Sequence, residues 1–147
     1  MLKVTKNIPD FYENIVKDLK NWQDLNGNDR KKLREYIFNN EQHQMCAYCE
    51  SKIKKYHIDH FKTRNQYPEF TFNYNNLFVS CECEKSCAKN KDKIGLNRSD
   101  FDNFYFPLSI NINEFEYTLL GDILGKTDKA KKTIEIFNLN SKSLIHY

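Results

Sequence analysis

All five cysteines and two of the four histidines of this 147-residue chain fall between residues 46 and 87. Cys46 and Cys49 open the window as a CxxC pair. Cys81, Cys83 and Cys87 close it, and His57-Ile58-Asp59-His60 stands between. Two thiolates on one tight turn reach a single ion, and two more from the second cluster complete a tetrahedron. Such a site leaves no position open for substrate and is structural. Cys46, Cys49, Cys81 and Cys87 are therefore the expected zinc ligands, with Cys83 as the alternative to Cys81. A lone CxxC also occurs in redox motifs. Five ordinary buried cysteines are the competing reading, and their confinement to two clusters within 42 residues argues against it.

The residues inside the frame suit harder chemistry. His57-Ile58-Asp59-His60 allows a second zinc site, a strand whose histidines merely pack, or a one-metal nuclease centre. In the last case Asp59 supplies an oxygen ligand to Mg²⁺ or Mn²⁺, which keeps several waters. His60 takes a proton from the attacking water, a task its ordinary pKa suits near neutral pH. Strand alternation sets His57 and Asp59 on one face and Ile58 and His60 on the other. That geometry disfavours one zinc ion held by His57, Asp59 and His60 together.

Asp59-His60, followed sixteen residues on by Asn76-Leu77 inside the cysteine frame, resembles the HNH endonucleases. Their metal-dependent site is a β-hairpin followed by a helix, the ββα-metal fold. The resemblance implies catalytic roles for His60, Asp59 and Asn76, with Asn76 pinning the loop and orienting the histidine. Residues 44–50, 57–61, 67–72, 75–81 and 87–92 resemble the HNH subfamily of retron and Septu anti-phage systems, as does the ending at 132–140. This implies a defence nuclease working with an ABC-type ATPase subunit and, in some systems, a retron reverse transcriptase. One departure stands out. Ala88 follows the last zinc cysteine, where HNH proteins often place a second metal ligand, a His or Asn. Asn90 and Asp92 are the nearby candidates, and His57 is a third.

These residues need elements to position them. The length suits one domain, and 39% hydrophobic residues with many Phe and Tyr suit a modest aromatic core that a metal would staple. Apolar spacing predicts a helix over 8–24, with Phe11, Ile15, Leu19 and Trp22 as its stripe, and a second over 29–41. A strand is expected over 56–61, a loop over 62–75, a short apolar run at 76–80 and a helix from Cys87 that Gly95 ends. Residues 96–113 read as irregular. Alternation predicts a strand over 114–120. Thr127 caps a last helix through Phe137 with Ala130, Ile134 and Phe137 inward, and Ser141 reads as a further helix start. The expected class is α+β: a zinc-stapled core at 45–95, a helical part at 1–44 and a strand/helix extension at 96–147.

The basic excess sits on the core, where residues 46–95 hold nine Lys/Arg against six Asp/Glu, while the flanks nearly cancel. Such an excess suits an anionic partner such as nucleic acid, and for the nuclease reading DNA is the expected substrate. Lys62, Arg64, Lys89 and Lys91 are the leading phosphate contacts, beside Lys52, Lys54, Lys55 and Lys93. The aromatic run Tyr67, Phe70, Phe72 and Tyr74 fits core packing better than base stacking, and His43 and His146 read as surface residues. No apolar stretch is long enough to span a membrane, no signal peptide opens the chain, and the reading is cytoplasmic. A non-catalytic zinc module that binds nucleic acid or a partner ATPase is the alternative.

Overall fold

The computed structural model describes residues 1–141, so His146 and any helix beyond Ser141 lie outside the described residues. The class is α+β. Its centre is an antiparallel pair, β1 (Tyr56–His60) and β2 (Leu77–Cys81), in which His57 faces Ser80, Asp59 faces Phe78 and His60 faces Leu77. Every residue of β2 is buried. Gln42 closes its outer edge like a short strand: its amide accepts from Val79 N (2.8 Å) and donates to Val79 O (2.8 Å). Val79's donor and acceptor are thereby satisfied without another chain. Between the strands, 3₁₀ turns at Pro68–Phe70 and Tyr74–Asn76 interrupt the expected loop.

Helix α3 (Cys87–Ile94) follows β2 and ends at Gly95, whose φ of 72° is the left-handed conformation glycine adopts without strain. It packs on β2 and on α4 (Asp128–Phe137). The Thr127 side chain caps α4 by accepting from Ala130 N at 3.1 Å. The buried face of α4 is Ala130, Thr133, Ile136 and Phe137, with Ile134 only half-buried. The expected strand shortens to β3 (Phe115–Tyr117), which pairs with β4 (Ile123–Gly125), an element the sequence pattern did not suggest.

The first expected helix does not run over 8–24. Helix α1 spans only Tyr12–Val16, and a 3₁₀ turn covers Trp22–Asp24. Lys17 is extended and Asp18 takes a φ of 66°, which breaks the chain between them. Pro9, Tyr12 and Trp22 are its buried residues, while Phe11, Ile15 and Leu19 are half-buried. The second helix, α2 (Gly27–Tyr36), runs on into a π-turn over Ile37–Glu41.

Phe61 anchors the core directly after β1. Its ring lies 4.9 Å from Phe106, 5.3 Å from Phe104 and 5.8 Å from Phe101. Burying a side chain of that size contributes roughly 1.5–3 kcal/mol, and here it fixes the end of the strand that carries Asp59 and His60. A buried ion pair tethers the N-terminal segment to the same sheet. Lys6 Nζ lies 2.7 Å from Glu41 Oε1 and donates to Leu77 O at 2.5 Å.

Candidate active site

The cysteine frame forms from two separated turns. Cys46 and Cys49 flank a tight turn closed by Cys46 N donating to Ser51 O at 3.0 Å, and Cys81 and Cys87 come from the end of β2 and the start of α3. The sulfurs of Cys46, Cys49, Cys81 and Cys87 all lie within 4.8 Å of one another. Cys83, buried nearby, is not in that group. Hydrogen bonds from the neighbouring sulfurs, Cys46 first, pull the Cys49 thiol down, while hydrogen bonds with Cys46, Cys49 and Cys81 push the Cys87 thiol up. A bare cluster thus lowers Cys46 and Cys49 and raises Cys81 and Cys87, opposing four thiolates at once. A divalent ion such as zinc removes that opposition, and four soft donors at this spacing fit it. Among the described residues the donors of His57, Asp59 and His60 do not converge as those of the four cysteines do.

An open cavity of about 780 Å³ is lined by Asp59, His60, Arg64, Thr71, Lys91 and Asp92, among others. Asp59 is 4% exposed and His60 7%. The His60 Nε2 lies 3.0 Å from Thr71 O. A carbonyl only accepts, so Nε2 carries the proton and Nδ1 is left as the basic nitrogen of the neutral ring. Trp22 meets the imidazole edge-on, with centroids 4.5 Å apart. Burial is the main cause that lowers the His60 pKa to about 4.

Asn76 is buried beside this turn. Its Oδ1 accepts from Lys62 N (2.8 Å), and its Nδ2 donates to Lys62 O (3.0 Å) and Phe70 O (3.4 Å). Its backbone carbonyl accepts from Phe61 N at 3.0 Å. One side chain thus ties the segment leaving β1 to the loop that carries Thr71, the partner of His60.

Both oxygens of Asp59 already have protein donors. The Tyr48 hydroxyl donates to Oδ2 at 2.5 Å, and Lys91 Nζ donates to Oδ1 at 3.3 Å. Burial pushes the Asp59 carboxyl above its ordinary pKa, opposed by the Lys91 ammonium and the Tyr48 hydrogen bond. Tyr48 sits inside the cysteine turn, fully buried and stacked on Phe137 at 4.2 Å. Neither Tyr48 nor Thr71 stood out in the sequence.

Lys91 was expected at the surface as a phosphate contact, and it is not there. Its side chain has no exposure, and Nζ reaches His60 O (3.0 Å), Phe61 O (3.1 Å) and Asp92 Oδ1 (2.9 Å) as well as Asp59. The signal was its spacing: four residues after Cys87 on one helix, it shares the inward face. Asp92 opens onto the cavity with a half-exposed side chain. Asn90 turns away, donating to Ile136 O on α4 at 2.7 Å, and Ala88 is buried. His57 lies at the cavity margin with Nδ1 3.2 Å from Glu82 Oε1.

The candidate phosphate contacts divide. Arg64 and, unforeseen, Lys20 line the cavity. Lys62 lies over the rings of Tyr67 and Phe70 at 4.9 and 5.1 Å. Lys89 is engaged by Glu82 and Glu84 at 3.0 and 2.8 Å, on a separate surface. Tyr67 and Tyr74 are buried, and His43 is exposed. Among the described residues no helix is long and apolar enough to cross a membrane.

No family model matches the chain. It is similar to the Septu protein PtuB of Bacillus thuringiensis, at 30% identity over 110 residues. That alignment covers 69% of this chain and 39% of the relative, so the chain spans well under half of that protein's length.

Proposed function

We propose that the chain is a metal-dependent HNH endonuclease that hydrolyses nucleic-acid phosphodiester bonds, DNA first, as the nuclease of an anti-phage defence system. The observation that carries the reading is His60, held by the Thr71 carbonyl with Nδ1 as its basic nitrogen, on the wall of a cavity that also holds Asp59. The reading is supported by an antiparallel strand pair followed by α3, since the HNH resemblance implies a hairpin followed by a helix.

In this reading His60 Nδ1 takes the proton of the attacking water. Thr71 holds the ring, and Asn76 holds the loop that carries Thr71. Asp59, with Asp92 as the second candidate, would hold Mg²⁺ or Mn²⁺; a hard cation needs only one or two protein carboxylates beside water and phosphate oxygens. When bound, that ion supplies charge stabilisation for the phosphate and the leaving oxygen. Arg64 and Lys20 give the cavity rim its positive charge. The zinc frame holds the strands and α3 together. The similarity to a Septu protein supports a defence role and a partner ATPase; a retron reverse transcriptase rests on the sequence resemblance alone.

A second reading, a non-catalytic zinc module, is favoured by one observation: both Asp59 oxygens are engaged by Tyr48 and Lys91, and position 88 offers no ligand. Incubating plasmid DNA with the protein and Mg²⁺ or Mn²⁺ separates the two, with the ATPase subunit added in a parallel arm. Nicking or linearisation that EDTA abolishes is expected; intact plasmid in every arm, partner included, would favour the module.

A further inference from the structure

Lys91 presents three N–H donors to four oxygens: Asp59 Oδ1, Asp92 Oδ1 and the carbonyls of His60 and Phe61. Two of the four are backbone and anchor the ammonium where it stands. If a cation draws on either carboxylate, three acceptors still serve three donors, so Lys91 has no reason to leave. The ammonium therefore stays between the two carboxylates and offsets part of the negative charge they present to a divalent ion. That leaves little charge for a hard cation that gives up its water reluctantly.

We propose that Lys91 is a positioning residue that makes metal uptake depend on substrate. The centre takes up a divalent ion weakly alone and firmly only when a nucleic-acid phosphate adds its own anionic oxygens. This rests on the endonuclease reading above and deepens it. Metal and nucleic acid then bind cooperatively, each tightening the other by the same factor. The chain would be held inactive toward free metal until a strand lies in the cavity. The position that Ala88 leaves without a ligand would be filled by the phosphate.

The test is Mn²⁺ binding to the zinc-loaded chain, followed by the spin-resonance signal of free Mn²⁺, with and without a phosphorothioate DNA duplex that resists cutting. For the wild type the DNA is expected to tighten Mn²⁺ by about tenfold or more. Lys91→Met, checked for one zinc per chain and an unchanged circular dichroism spectrum, is expected to bind Mn²⁺ tightly without DNA and to lose most of the coupling. Lys91→Arg keeps the charge and should keep the coupling. Should Lys91→Met fail to fold, Asp92→Asn serves on an exposed side chain: it should weaken Mn²⁺ binding without DNA. Equal Mn²⁺ affinity with and without DNA in the wild type overturns the proposal, as does a folded Lys91→Met with wild-type behaviour, or an Asp92→Asn with wild-type affinity. Failure of Mn²⁺ to bind any variant in either condition removes the metal centre itself, and this proposal with it.

Discussion

The hydroxyl of Tyr48, a residue of the cysteine turn, donates a 2.5 Å hydrogen bond to Oδ2 of Asp59 on the central strand. The cysteine frame and the candidate catalytic carboxylate are therefore in direct contact through one side chain. The frame does more than close the fold: it presents the donor that orients Asp59. Tyr48→Phe removes that hydroxyl while keeping the ring on Phe137. The expected cost is about 1–2 kcal/mol, because a buried carboxylate loses a partner. Urea unfolding should show a lower midpoint at unchanged slope, with one zinc per chain retained. Cleavage should fall although the protein stays folded at assay temperature.

The four-sulfur cluster predicts a metal count. Purified protein should hold one zinc per chain by atomic emission. Cys87→Ser should lose it and much of the cooperative unfolding transition, whereas Cys83→Ala, outside the cluster, should keep it. A full zinc complement in Cys87→Ser would contradict the ligand set.

Asn76→Ala deletes the amide that spans Lys62 N, Lys62 O and Phe70 O. A loss of about 2 kcal/mol is expected, since Lys62 N is left without its acceptor. Activity should drop further than stability, because the loop carrying Thr71 no longer holds the imidazole. Thermal unfolding and cleavage rates on one preparation separate the two effects.

His60 sets a pH dependence. Its folded pKa is lowered from 6.5 to about 4, chiefly by burial. Between those values the unfolded chain binds a proton that the folded chain does not, so stability is complete above 6.5, declines as pH falls, and levels off below about 4. The full effect is on the order of 3 kcal/mol. Acid also releases zinc from thiolates, so the quantity to measure is the difference between wild type and His60→Gln in urea midpoints at about pH 7 and about pH 5. The wild type should lose more; parallel losses would argue that the imidazole is not held neutral.

Local pattern carried much of this in the sequence. Clustered cysteines announced the frame, and β1, α3 and α4 lie close to where residue spacing set them, while β2 falls on the run at 76–80 that reads only as short and apolar. What stayed hidden were long-range partners. Tyr48 looks like any aromatic residue between two cysteines until β1 brings Asp59 to its hydroxyl. Lys91 reads as one more lysine in a basic run, because a sequence pattern does not reveal the carbonyls of His60 and Phe61 that make burial of its charge tolerable. The long first helix failed for a local reason: Asp18 takes a left-handed φ of 66° that apolar spacing does not forecast.

The central claim is that His60 acts as the general base beside a metal held at Asp59. Its most direct test is metal-dependent DNA cleavage by wild type and His60→Ala, with the proposed ATPase partner present in both arms and matched zinc content and circular dichroism. The account predicts that the substitution lowers the rate by about 10²–10⁴-fold without loss of fold or zinc. Cleavage by His60→Ala at the wild-type rate would contradict it.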